Sequence, residues 1–339
     1  MKSFYSKYKA HFRTHLLLSY PIIIGQIGHV AMGVIDNVMV GKLGKVALAA
    51  SGASNAVFFL LTIFAIGISV AVAPIVSIAK VNKRPGETAS IFWAVNVANL
   101  LFSFLLVAGL YFFIHNFSWL KQDPEVEKLS ISYLEIITWT TPFMAVFMGM
   151  KNFGDGLGHT KIAMLVTIGG LLCNVFLNWL LIFGNWGLPE LGLDGAGYAT
   201  LISRILMAIG IFIFITQAKV FKDYLKTPSF AQIKYFIKDI YKTGIPAGFQ
   251  YFFEVGAFSS AALLAGWIGT KEQAAHNIAI SLASLTYMAA VGISSSAAIK
   301  VGKAYGRNNH SETRDAGFSA IVLAMVYETF TCLIFILAG

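Results

Sequence analysis

The chain has 339 residues, of which 57% are hydrophobic and 12% charged, with a mean hydropathy of +0.72. A soluble domain carries about 25% charged residues, so this composition in water would expose apolar patches of a size that soluble chains avoid. The formal charge of +9 does not indicate nucleic acid, because lysines and arginines alternate loop by loop between long apolar runs. These features exclude an ordinary soluble fold and predict an all-α integral membrane protein.

A bilayer-crossing helix needs about 20 mostly apolar residues. Nine runs qualify, at 16–40, 47–79, 90–114, 130–151, 162–184, 193–217, 243–267, 273–299 and 316–338. The first is followed by further spans and has no cleavage site, which excludes a removable signal. The second and eighth exceed one crossing, so they are expected to tilt or to protrude into water. Strands are excluded by runs that are long, rich in Leu, Ala and Phe, and not alternating. Pro21, Pro142 and Pro246 fall inside spans and predict kinks.

Orientation follows from the loop cations. With the N-terminus inside, 19 of the 25 lysines and arginines lie on the inner side, including Lys80, Lys83, Arg84, Lys151, Lys161 and six lysines of residues 218–242. Five lie outside, and Arg204 lies within a span. The reading is a multi-pass plasma (inner) membrane protein with a cytoplasmic N-terminus.

The sequence also repeats. Shifted by 225 residues, Pro21 falls on Pro246, Gly41 on Gly266, Gly44 on Gly269, and Gly67-Ile68-Ser69 on Gly292-Ile293-Ser294. This period implies two six-helix halves of the same orientation, related by an axis along the membrane normal. Residues 1–217 form the first half and 218–242 a basic loop between the halves, whose stretch 230–241 is expected to lie on the inner membrane face. Residues 243–339 form the first three helices of the second half. Nine of twelve helices are expected to be present, the chain being C-terminally truncated relative to a full repeat.

Ionisable groups at bilayer depth are costly and mark function by default. Asp36, Arg204, Glu254 and Glu328 stand out. Glu254 sits among Phe252, Phe253, Val255 and Phe258, where an acid could exchange a proton or hold a cation. Asn174 and Asn178 are four apart, on one face of the fifth span. With Asp36 they would form an oxygen-lined site for Na+ or a proton, although Asn pairs also join helices without a ligand. Arg204 and Glu328 have no assignable partner. The seven histidines show no metal spacing, and Cys173 and Cys332 lie inside apolar runs with no disulfide or metal pattern. Gly154-Asp155-Gly156-Leu157-Gly158 lacks the strand–turn–helix context of a nucleotide site and reads as a tight turn. No catalytic cluster is visible, so no enzyme is predicted, and no cofactor beyond Na+ or H+ as coupling ion.

Several segments together resemble the multidrug and toxin extrusion (MATE) family, within it the NorM-like branch. They are PIIIGQIGHVAMGVIDNVMVGKLGKVALAA at 21–50, GDGLGHTK at 154–161, CNVFLNWLLIFG at 173–184 and LGLDGAGYAT at 191–200. The resemblance implies a two-lobe antiporter around an outward-opening cleft. It implies cation coupling at Asp36, Asn174, Asn178, Thr200 and Glu254, with Na+ at Asp36 or Glu254 and hinges at Pro21 and Pro246. An acid that would pair with Glu254 falls beyond Gly339. The expected activity is efflux of cationic, amphipathic drugs or dyes against Na+ or H+, by a monomer in the lipid bilayer with no nucleic-acid partner. The alternatives are a flippase for lipid-linked precursors, which the three acids and one base in the spans disfavour, and a transport-inactive truncated membrane protein.

Overall fold

A computed structural model describes residues 2–82, 86–226 and 228–338; Lys83, Arg84 and Gly339 lie outside them. Eleven α-helices make up the described chain: α1 (Lys2–Gly41), α2 (Lys45–Val70), α3 (Val72–Asn82), α4 (Glu87–His115), α5 (Pro124–Thr138), α6 (Thr140–Gly156), α7 (Thr160–Ile182), α8 (Gly192–Gln217), α9 (Phe230–Ile268), α10 (Thr270–Gly306) and α11 (His310–Ala338). No strand occurs among the described residues. Among the described residues, seven rods are long and apolar enough to cross a bilayer, and eight with the bent pair α5–α6. The expected span 243–267 falls within α9. Exposed leucines such as Leu101, Leu105, Leu165 and Leu172 form the apolar outer surface that a bilayer would cover.

Prolines decide where rods break. A proline removes one backbone hydrogen bond, and its ring clashes with the carbonyl four residues earlier. Pro142 acts on Thr138, the last residue of α5, and α6 leaves at 41°. Pro74 acts on Val70, the last residue of α2, so the expected span 47–79 is one rod, Lys45–Asn82, interrupted at Ala71 between α2 and α3. At Pro21 and Pro246, where kinks are expected, α1 and α9 continue without a break.

Two boundaries differ from expectation. The first helix starts at Lys2 rather than near residue 16, since nothing in Lys7–Thr14 stops a helix once the apolar part has nucleated it. Residues 230–241 are the opening turns of α9 and not part of the inter-lobe loop or a separate surface helix. Phe236 and Ile240 of this stretch are buried in the core that also holds Phe92 and Phe153, which ties it to the bundle. The turn after α6 forms as expected: Gly158, at φ 85°, donates to the Asp155 carbonyl and His159 to that of Gly154, closing the helix.

The repeat is visible in the boundaries. Moved back by 225 residues, α10 covers α2 and α3 to within one residue. Glycines join the two halves. A Cβ at Gly67 would lie 2.2 Å from the Gly248 nitrogen, and one at Gly244 2.5 Å from the Ile68 Cα. Gly292 meets Ile23, Gly302 meets Ser77, and Gly306 meets Ile78. These contacts run from mid-bundle to the side that carries the N-terminus and most loop lysines, here called the basic side. At the opposite ends, Val38 of α1 and Phe258 and Trp267 of α9 are more than half exposed.

Candidate cation site

Three helices bring four polar residues together near the end of the bundle opposite the basic side. Small residues let α1, α7 and α8 close on one another. Gly28 of α1 faces Thr167 of α7, Gly170 of α7 faces Met207 of α8, and Gly195 of α8 abuts the Leu181 carbonyl. Into this junction α1 projects Asp36, α7 projects Asn174 and Asn178 one turn apart, and α8 projects Thr200.

The four form a closed ring of hydrogen bonds. Asn178 Nδ2 donates to Asp36 Oδ1, and to Asn174 Oδ1 at 3.2 Å. Asn174 Nδ2 donates to Thr200 Oγ1 at 3.4 Å, and the Thr200 hydroxyl donates to Asp36 Oδ2 at 3.4 Å. Both asparagines are fully buried. Asn178 Oδ1 is buried with no hydrogen-bond partner. A buried acceptor without a donor is costly, and beside a carboxylate it is the group a cation would satisfy. The donor set is all oxygen, which suits a hard cation or a proton and not a soft metal. These residues therefore fit Na+ or H+.

Two further side chains complete the surroundings: Arg204, which stands out in the sequence without a partner, and Tyr133, which escapes sequence reasoning. Tyr133 of α5 is buried within electrostatic reach of Asp36. Arg204, one turn along α8 from Thr200, lies within electrostatic reach of Asp36 and Tyr133. A tyrosine in an apolar run carries no signal of its own, because its ring packs like any other aromatic.

Glu254 is placed apart from this cluster. It accepts a 2.7 Å hydrogen bond from the Tyr287 hydroxyl of α10, and Tyr251 is within its electrostatic reach. The neighbouring Phe252 stacks on Phe64 of α2 at 5.7 Å, so Glu254 sits close to where the halves meet. Glu328 is exposed on α11 and takes a 3.4 Å contact from Thr331. Pro21 is buried in α1, and Pro246 lies between Gly244 and Gly248, where α9 touches α2. Among the described residues no cluster of His, Cys, Asp and Glu could hold a metal ion.

A duplicated all-helical membrane bundle with a buried acid in an oxygen ring defines a membrane transporter. Its family is shown by comparison. The MatE family profile matches residues 21–180 and again 246–339, two matches that begin 225 residues apart. The chain belongs to the MatE family, whose members are multi-pass transport proteins rather than enzymes. It is 31% identical to the probable multidrug resistance protein NorM of Bradyrhizobium diazoefficiens, over 91% of this chain and 67% of that one. It is 28% identical to the protein of the same name from Pasteurella multocida, over 96% and 71%. The multidrug resistance protein MdtK of Edwardsiella ictaluri is 30% identical over 96% and 72%. The fold matches the eukaryotic MATE transporter AtDTX14 with a TM-score of 0.86 at 18% identity, covering 97% of this chain and 73% of that one. It also matches an outward-facing MATE family transporter with a TM-score of 0.83 at 21% identity, over 96% and 72%.

Proposed function

We propose that the protein exports cationic, amphipathic compounds by antiport against Na+ or H+. The observation that carries the reading is the unpartnered Asn178 Oδ1 beside Asp36 in a buried oxygen ring. A carboxylate there can hold a proton or a cation, and either one neutralises a charge that is expensive to bury. The ring joins α1, α7 and α8, so its occupancy changes how α1 packs. α1 also carries the contacts to the second half, through Ile23 and Gly292. An ion that binds one arrangement better than the other shifts their balance by that difference in affinity and no more. The names of the relatives support drug efflux. Aromatic and methionine side chains such as Phe64, Phe249, Phe252 and Met288 suit flat cations through apolar contact and cation–π attraction.

In this reading the basic side is cytoplasmic, following the lysine and arginine bias, and the chain works as a monomer in the plasma membrane. Joined at the basic side, the halves would open outward. Glu254, with Tyr287, is a second candidate for cation binding. The test is efflux of ethidium from cells that lack their own exporters, with and without an imposed Na+ or proton gradient. Gradient-dependent efflux that Asp36→Asn abolishes is the expected result. Efflux that is independent of both gradients, or unchanged in Asp36→Asn, overturns the reading.

A further inference from the structure

Arg204 takes no part in the ring of hydrogen bonds, yet it is the cation placed to act on it. It lies one turn from Thr200 on the same face of α8. Its guanidinium is always charged. Its Nε is buried with no hydrogen-bond partner, and no side chain among the described residues forms an ion pair with it. On one side are Asp36 of α1 and Tyr133 of α5, within electrostatic reach. On the other is a cavity of about 20 Å³ that Arg204 lines with His29 of α1, Lys151 of α6, Gln26 and Thr167. This is room for about one water. Lys151 already has a partner, Asp155, at 3.0 Å, and His29 lies within electrostatic reach of both Arg204 and Lys151. Asp36 is therefore the acid left to balance Arg204, and Arg204 the cation left to balance Asp36.

We infer that Arg204 is a tethered cation that balances Asp36 while no coupling ion is bound and opposes the ion once it arrives. A carboxylate buried with neutral donors alone is poorly compensated; the nearby guanidinium supplies the remainder through space. A cation entering the oxygen ring takes over that balance and then meets a like charge within electrostatic reach. Its affinity is lowered, which favours release. The cavity gives the guanidinium somewhere polar to face when Asp36 is occupied. Arg204 thus tunes the ion site without touching the ion.

The inference rests on the cation reading of Asp36, and one experiment separates the two. Binding of radiolabelled Na+ to the purified chain in lipid nanodiscs is measured over a range of pH for wild type, Asp36→Asn, Arg204→Gln and Arg204→Lys. All the residues concerned lie on α1, α5, α6, α7 and α8. With the opposing charge gone, Arg204→Gln should bind Na+ at least about tenfold tighter at alkaline pH. Protons should also displace Na+ from this variant at higher pH than from wild type. A merely structural arginine would predict the reverse, a loosened site and weaker binding. Unchanged or weaker Na+ affinity in a folded Arg204→Gln overturns the inference. Where that variant does not fold, Arg204→Lys decides: its shorter side chain draws the charge away from Asp36, so tighter binding supports the inference and unchanged or weaker binding overturns it. Equal binding by wild type and Asp36→Asn, or none by either, removes the cation reading itself, and the role of Arg204 falls with it.

Discussion

His15 on α1 and Ser296 on α10 lie 2.9 Å apart, Nδ1 to Oγ, across the junction of the two halves. The other ring nitrogen, Nε2, is 3.1 Å from the Ala316 carbonyl and 3.2 Å from Ser319 Oγ of α11. A carbonyl only accepts, so Nε2 carries a proton in this arrangement. Further toward the N-terminus, Lys300 Nζ donates to the His11 carbonyl at 3.2 Å, and the Tyr8 hydroxyl donates to Asp315 at 3.2 Å. Three successive turns of α1 thus fasten the first half to α10 and α11. The helix that carries Asp36 near one end is anchored to the second half at the other.

His15→Ala should therefore loosen the basic-side junction. It removes two or more buried hydrogen bonds that join α1 to α10 and α11, a loss of about 1–3 kcal/mol. Hydrogen–deuterium exchange should rise in α10 around residue 296 and in α11 around residue 316, while α4 and α5 stay as protected as before. Equal protection in variant and wild type would show that the junction does not depend on this histidine.

The ring around Asp36 makes a separate prediction. Asn178→Ala removes both the donor to Asp36 Oδ1 and the unpartnered Oδ1, leaving Asp36 with Thr200 as its ring donor. Na+ affinity should fall by about tenfold or more, since a charged hydrogen bond contributes about 1.5–3 kcal/mol. Asn185→Ala, at a half-buried position outside the ring whose side chain bonds the Trp179 carbonyl, should leave it unchanged. A binding isotherm for each variant checks this, and equal affinities would remove Asn178 from the site.

Much of this arrangement is legible in the residues. Apolar runs mark most of the rods, the 225-residue shift anticipates the matching boundaries of α2–α3 and α10, and the spacing of Asn174 and Asn178 puts both on one face. What brings Asp36 to that face is the approach of α1 to α7 at Gly28, a tertiary contact with no local pattern. The break at Ala71 has a cause in Pro74, but long apolar runs hide a proline near their end. The early start of α1 is hidden for a different reason. Lys7, Lys9 and Arg13 look like loop, yet a helix already nucleated by its apolar part runs on through charged residues that favour helix anyway. The surroundings of Arg204 and the partner of Glu254, Tyr287, come from other helices and are invisible until the helices are packed.

Glycine at the junction is testable by contrast. A Cβ at Gly67 would meet the Gly248 backbone nitrogen at 2.2 Å and its Cα at 2.3 Å. Backbone cannot rotate away as a side chain can, so α2 and α9 would have to separate. Gly67→Ala should destabilise the protein by about 1–3 kcal/mol or more, read as a lower melting temperature in detergent. At Gly52, in the same helix, nothing lies within 4 Å of the added carbon, and Gly52→Ala should be neutral or slightly stabilising because alanine favours helix. If both variants melt alike, close packing of α2 on α9 is not what the glycine serves.

Acid should weaken the fold through His159. This residue follows Gly158 in the turn between α6 and α7, and its ring meets Phe221 edge to face at 5.1 Å. Burial, and then the charges of Lys80 and Lys303, hold its pKa below the usual histidine value. The sign follows from linkage: the unfolded chain takes up a proton at His159 near pH 6.5 while the folded chain resists it. Any stability tied to the neutral ring is present above about pH 6.5 and is lost as the pH falls below it. His159→Gln keeps a polar side chain of similar reach but cannot titrate. Melting temperatures taken from about pH 8 to about pH 5 should decline more steeply for wild type than for His159→Gln, and parallel curves would show that His159 does not contribute to the acid limb.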